Sequence, residues 1–349
     1  MSTGYDTARI VWRQSVPIDD PVGGWQSHKV DDVKCHTTAY LNVPGMQATG
    51  VEFADGRSEL VVQCSLPKLL WGQNIDTLGP ESVGAAVDRL DALVHRYWPS
   101  SPEVLLWGVR RVDCTANRVY TGEHPEESVG LVLEALKKVK LHGRYPRIGD
   151  SGTSVSWHAI SGGLHRKAYS KYFETGEERA RGILRVEVGA QGVAASRRVL
   201  GLEGGTSVRF HDVLEDRGFP DRCTAGFGKV VGFVADQVEK QPFMRVFWRF
   251  KKHAERSMNL KGGGSGKAAA WLGYAWMVSQ AGWAALNLPP MTEYRIRRVF
   301  REAGVDPAMI DWGTFDPGGV LEDMDPVGQG ALELAAEKVY GVRAGNGKA

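Results

Sequence analysis

The chain has 349 residues, with 43 Lys and Arg against 41 Asp and Glu, a formal charge of +2, and ordinary apolar and charged fractions. This length can bury two hydrophobic cores, and near-neutrality excludes a protein that binds nucleic acid over its whole surface, so any basic region is local. The four cysteines (Cys35, Cys64, Cys114 and Cys223) are scattered without a C-x-x-C pair, which argues against a thiolate zinc site and a disulfide framework and fits a reducing cytoplasm.

Residues 1–16 hold no apolar run of signal-peptide length. Residues 9–18 and 37–43 read as strands. Residues 50–53 and 60–65 flank Asp55-Gly56, a hairpin turn signal. Residues 80–98 have helical spacing, with Val83, Val87, Leu90, Val94 and Tyr97 on one face. An apolar strand follows at 104–115, then an amphipathic helix at 125–141, opened by Pro125 with Glu126 and Glu127 in its first turn. Strands at 153–160 and 167–173, joined by a Ser161-Gly162-Gly163 turn, precede another at 182–190. Strands with two interleaved helices predict an α+β domain, an antiparallel sheet with covering helices, over residues 1–200.

Beyond about Gly201 the periods become helical, over 224–250, 268–288, 292–303 and 330–340. Pro289-Pro290 ends one helix, and Thr292 is placed to cap the next. Residues 201–349 therefore read as a mainly α-helical domain, with a disordered tail after Gly341. Residues 268–292 carry no charge over a length that could span a bilayer. Their Ser279, Gln280 and Asn287, their alanines and their dispersed tryptophans favour a helix packed in a domain, with no membrane. Lys261 to Lys267 looks like a phosphate loop, but Lys261 stands at the first glycine position and Ala268 where Ser or Thr would reach magnesium. A flexible linker is the reading there. There is no H-x-H pair.

Four segments in order resemble the gene II replication proteins of filamentous phages. They are Ser65, Lys68, Gly72 and Asn74; Arg111, Asp113 and Thr115; the hairpin from Thr153 to Trp157 followed by Arg166 to Lys171; and Leu184, Arg185 and Glu187. The likeness spans about residues 60–200 and continues loosely through 268–305. It implies a rolling-circle initiator of the host cytoplasm that nicks double-stranded phage DNA at its plus-strand origin and rejoins the displaced single strand, working beside a host replicative helicase. The alternatives are a non-catalytic origin-binding regulator and a plasmid relaxase-like nickase.

Nicking with conserved bond energy needs a nucleophile that holds the phosphate, and the resemblance puts a 5′-phosphotyrosine link on Tyr169. In a strand Tyr169 and Lys171 share a face, and a nearby ammonium favours the phenolate; the plainer reading is a half-buried strand tyrosine. Tyr172 would then face the opposite way, into the core. Asp113 and Glu187 are acids on apolar strands. They suit Mg2+ or Mn2+, with His158 a candidate third ligand, or they pair with Arg111 and Arg185 as structural ion pairs, with His158 a surface or core histidine. Lys68 and Asn74, read as a loop around Gly72, would grip a phosphate or an unpaired base, or simply connect a strand to a helix. Arg245, Arg249 and Lys252 recur at helical spacing among aromatics and are the candidate duplex contacts, against a merely solvated helix face. Arg295, Arg297, Arg298 and Arg301 form a second basic stretch.

Overall fold

The computed structural model describes residues 2–15, 17–31, 36–122, 124–141, 144–149, 152–158, 163–205, 207–239, 243–257, 265–286, 288–310 and 312. In chain order the elements are β1 (Ser2–Gln14), β2 (Ser27–Asp31), β3 (His36–Val43), β4 (Met46–Glu52), β5 (Ser58–Ser65), α1 (Leu66–Trp71), α2 (Val83–Tyr97), β6 (Gly108–Val119), α3 (Pro125–Leu136), β7 (Arg147–Ile148), β8 (Ser154–Trp157) and β9 (Leu164–Ser170). There follow α4 (Lys171–Thr175), β10 (Ile183–Gln191), α5 (Gly192–Leu200), α6 (Phe210–Glu215), α7 (Phe219–Glu239), α8 (Phe243–Ser257), α9 (Ser265–Ala281) and α10 (Pro290–Glu302). The fold is mixed α+β, as expected.

The chain divides into two compact units, each made of three stretches of the sequence. The first comprises Met1–Arg118, His158–Lys167 and Arg185–Gly228, and the second Val119–Trp157, Ala168–Leu184 and Lys229–Ala349. The division falls inside β6, β9, β10 and α7, elements that periodicity reads as continuous, so no composition shift marks it.

In the first unit the strands are ordered β2-β3-β4-β5-β1-β6-β10-β9. Strands β2 to β5 form an antiparallel meander, and β5 and β6 flank β1 antiparallel. Gly56 takes a positive φ of 80° in the β4–β5 turn, which suits the Asp55-Gly56 signal. Strand β1 slips register between Tyr5 and Ala8, so Asp6 and Thr7 together oppose Asp113. That is a bulge, which locally re-aims side chains. The apolar face of α2 (Val83, Ala86, Val87, Leu90 and Val94) is buried, each aliphatic worth about 1.5–3 kcal/mol. Tyr5 lies near parallel to Phe219 at 6.4 Å, and its hydroxyl donates to the Val213 carbonyl at 3.0 Å. The buried Cys223 thiol donates to the carbonyl of Val188 on β10 at 3.5 Å.

In the second unit β7 pairs antiparallel with β8, and α3 packs on α8. Helix α9 buries Ala268, Trp271, Leu272 and Ala275, a helical stripe, and Trp271 meets Phe250 of α8 edge-on at 6.0 Å. The charge-free stretch is therefore a packed helix that Gly282, at φ 76°, ends. Among the described residues no helix is long and apolar enough to cross a membrane.

Several boundaries differ from expectation for identifiable reasons. The single helix expected over 224–250 is two, α7 and α8; Pro242 lies between them and cannot donate to a helix ladder. Pro289, not Thr292, is the N-cap of α10, and Thr292 lies in the first turn. The strand expected over 167–173 stops at Ser170, whose hydroxyl accepts from the Phe173 amide and starts α4, and Gly176 in the left-handed region closes that turn. Most of the Ser161-Gly162-Gly163 turn, the glycine run at 261–264, the helix expected over 330–340 and the C-terminal tail lie outside the described residues.

Candidate functional site

The central strands of the first unit have one apolar and one polar face. Along β6, Val112, Cys114 and Ala116 alternate with Arg111, Asp113, Thr115 and Asn117; along β10, Val186 and Val188 alternate with Arg185, Glu187 and Gly189. The polar set is connected. The Arg111 guanidinium donates from Nε to Asp113 Oδ1 at 2.6 Å and lies 3.8 Å from Glu187 Oε1. Burial pushes the Asp113 carboxyl above its ordinary value and Asp6 adds to this, while Arg111 and Lys167 oppose it. Burial works against the Arg111 charge, but Asp113, Glu187 and Asp6 outweigh it and hold its pKa up.

Arg185 is fully buried and does not pair with Glu187. It donates to Asn117 Oδ1 at 2.9 Å, to the Asn74 carbonyl at 2.5 Å and to the Ile75 carbonyl. The segment after α1 is thereby tied to the polar face. Lys68 lies on α1 and is exposed, a correction to the loop reading; Gly72 caps that helix at φ 74°. Asn74 reaches the polar face through its backbone oxygen. The proline at the helix start and the glycine at its end were the signals for α1.

His158 and His165 come together, with ring centroids 4.7 Å apart. The sequence has no H-x-H motif; the structure brings a histidine pair together from His158 and His165 instead. His165 was not singled out from sequence, although strand alternation puts it on one face with Lys167 and Tyr169. Burial, then the charges of His158, Arg111, Lys167 and Arg166, lower the His165 pKa to about 4. At neutral pH its ring is uncharged, the form that ligates metals. Its Nδ1 is buried and unpartnered among the described residues. His158 is exposed.

Asp113, Glu187 and His158 do not make a ready metal set, because the Arg111 guanidinium stands against both carboxylates. Among the described residues no three His, Cys, Asp or Glu side chains converge as such a set.

Tyr169 belongs to the second unit and is 3% exposed. Lys171 starts α4 and does not share a strand face with it. Its ammonium still lies 5.7 Å from the centre of the Tyr169 ring and pairs with Glu174. Tyr172 is half-buried beside Arg181 and Phe173 on α4, not a core residue.

The cations of α8 are largely engaged. Arg249 donates to Glu127 at 2.8 Å and to the Gly304 carbonyl at 3.1 Å, Lys251 pairs with Glu134, and Lys252 pairs with Glu255 at 2.9 Å. Arg245 is exposed. On α10, Arg297 pairs with Glu293 and Arg298 with Glu302. The helical period of these cations thus mostly reflects packing against α3 and pairs within helices.

No protein-family model and no curated protein matches this sequence.

Proposed function

We propose that this protein is a rolling-circle replication initiator of the filamentous-phage type, which nicks origin DNA through Tyr169 and rejoins the displaced strand. The observation that carries the reading is the polar face of β6 and β10. It gathers Arg111, Asp113, Glu187, His158 and His165 on a sheet whose other face is apolar, and these include residues of the resembling motifs. Burying such charges costs stability unless they are paired or used.

In the proposed reaction the Tyr169 oxygen bonds to phosphorus as the bond from phosphorus to the 3′ oxygen breaks. The phenolic proton goes to solvent, the departing oxygen gains one, and a 5′-phosphotyrosyl link and a free 3′-hydroxyl result. Attack by another 3′-hydroxyl reverses these changes and seals the strand. The Lys171 ammonium, 5.7 Å from the centre of the Tyr169 ring, is the cation assigned to the non-bridging oxygens. A divalent cation, Mg2+ or Mn2+, which the resemblance implies, would supply further neutralisation of phosphate charge. Host cytoplasm, origin DNA and a host helicase belong to the same proposal.

The burial of Tyr169 and the engagement of Asp113 by Arg111 favour a second reading, an origin-binding regulator that does not cut. Incubation with a supercoiled plasmid carrying the DNA beside its own gene, with Mn2+ or Mg2+, separates the two. The nicking reading expects nicked circles with protein attached, lost on Tyr169→Phe with binding retained and abolished by EDTA. Binding without nicks under all these conditions would establish the regulator.

A further inference from the structure

Arg249, Lys251 and Lys252 of α8 and Arg297 and Arg298 of α10 have carboxylate partners, but the cations following α3 differ. Residues 137–148 contain Lys137, Lys138, Lys140, Arg144 and Arg147 and no acid. Lys137 pairs with Glu134. The described residues give Lys140, Arg144 and Arg147 no carboxylate partner, and all three are exposed. Tyr145 and Ile148 stand among them at 57% and 55% exposure. The Lys140 ammonium lies 4.7 Å from the Tyr145 ring centre.

The described backbone under this patch is hydrogen-bonded. The Leu141 and Arg144 amides donate to each other's carbonyls, Leu141 is buried, and the Trp157 indole donates to the Val139 carbonyl at 3.2 Å. Arg147 and Ile148 form the short strand β7, in register with Ser156 and Val155. Among the described residues an aromatic ring thus stands among three exposed cations that have no carboxylate partner.

We propose that this patch, Lys140, Arg144, Tyr145 and Arg147, is a docking surface for single-stranded DNA. Cations without internal partners match backbone phosphates, and an exposed tyrosine stacks on an unpaired base. The bases of a duplex are already stacked, so the ring selects the single strand. The choice of DNA rests on the rolling-circle reading, whose displaced strand is the single-stranded species.

The test uses the full chain and a fluorescent oligo-dT of about 20 nucleotides, longer than one typical site. Anisotropy is titrated against salt, with a matched duplex and poly-glutamate as competitors. Replacing Lys140, Arg144 and Arg147 with Gln should lower the slope of log affinity on log salt by about 2, from about 0.7 per lost phosphate contact. Tyr145→Ala should weaken binding about tenfold at fixed salt, and Tyr145→Phe should restore it. Unchanged slope and affinity in the variants would overturn the proposal, as would equal losses on duplex or poly-glutamate, which would mean charge attraction alone. Plasmid nicking is scored in parallel. Wild-type protein that never nicks but binds dT through this patch removes the nicking reading and leaves the surface. Nicking with variant-independent dT binding does the reverse.

Discussion

Gly189 on β10 faces Asp113. A Cβ added there would stand inside 3.0 Å of Asp113 Oδ1 and 3.5 Å from Arg111 Nε. Gly189→Ala must therefore displace the carboxylate, and the 2.6 Å hydrogen bond from Arg111 cannot survive the move. Losing a charge-assisted hydrogen bond costs about 1.5–3 kcal/mol, and overpacking a filled site costs about 1–3 kcal/mol. Together these put Gly189→Ala at about 3–5 kcal/mol. The same substitution in an Asp113→Ala background meets no carboxylate and should cost about 1–2 kcal/mol, leaving a coupling of about 2–3 kcal/mol. Guanidinium denaturation of the four proteins, followed by tryptophan fluorescence, measures the cycle. Additive costs would refute the reasoning, since they would mean that the Cβ is accommodated without moving Asp113.

The depressed His165 has a signed pH dependence. Its proton is bound more weakly in the folded chain, so stability is full above the ordinary value of 6.5 and falls as pH drops toward about 4. With the ring half-exposed, solvent screening leaves about 1–2 kcal/mol of the acid loss, and His165→Gln should flatten the denaturation profile over that window. Glu134 has the same sign for a different reason. Burial works to raise its pKa, but Lys251 and Lys137 hold it below the ordinary carboxylate value, so its contribution is present at neutral pH and lost in acid. Glu134→Gln strands two ammoniums and should cost about 2–3 kcal/mol at pH 7 but little in strong acid, as thermal unfolding at both pH values would show.

What the sequence made legible was local. Val83, Val87, Leu90 and Val94 marked α2, Asp55-Gly56 marked its hairpin, and Pro125 with Glu126 and Glu127 marked the start of α3. The failures were of two kinds. Short helices escaped because one turn leaves no period; Ser170 and Gly176 bracket α4, yet Ala168 to Phe173 reads equally as strand. Partners distant in sequence escaped because a list of cations does not show where the acids fall. Glu127 and Glu134, two turns apart on α3, meet Arg249 and Lys251 across separations of 122 and 117 residues. His158 and His165 meet with ring centroids 4.7 Å apart, a pairing that no fixed spacing in the sequence encodes.

The bond from the Tyr5 hydroxyl to the Val213 carbonyl closes a separation of 208 residues. At a synthesis rate of about 5–20 residues per second, the ribosome needs about 10–40 s to deliver the second partner after the first. During that interval the nascent chain carries β1 and its meander without the lid formed by Phe219 and its neighbours, an exposed apolar surface of the kind that chaperones hold. The first strand to be made is thus among the last to be fully buried.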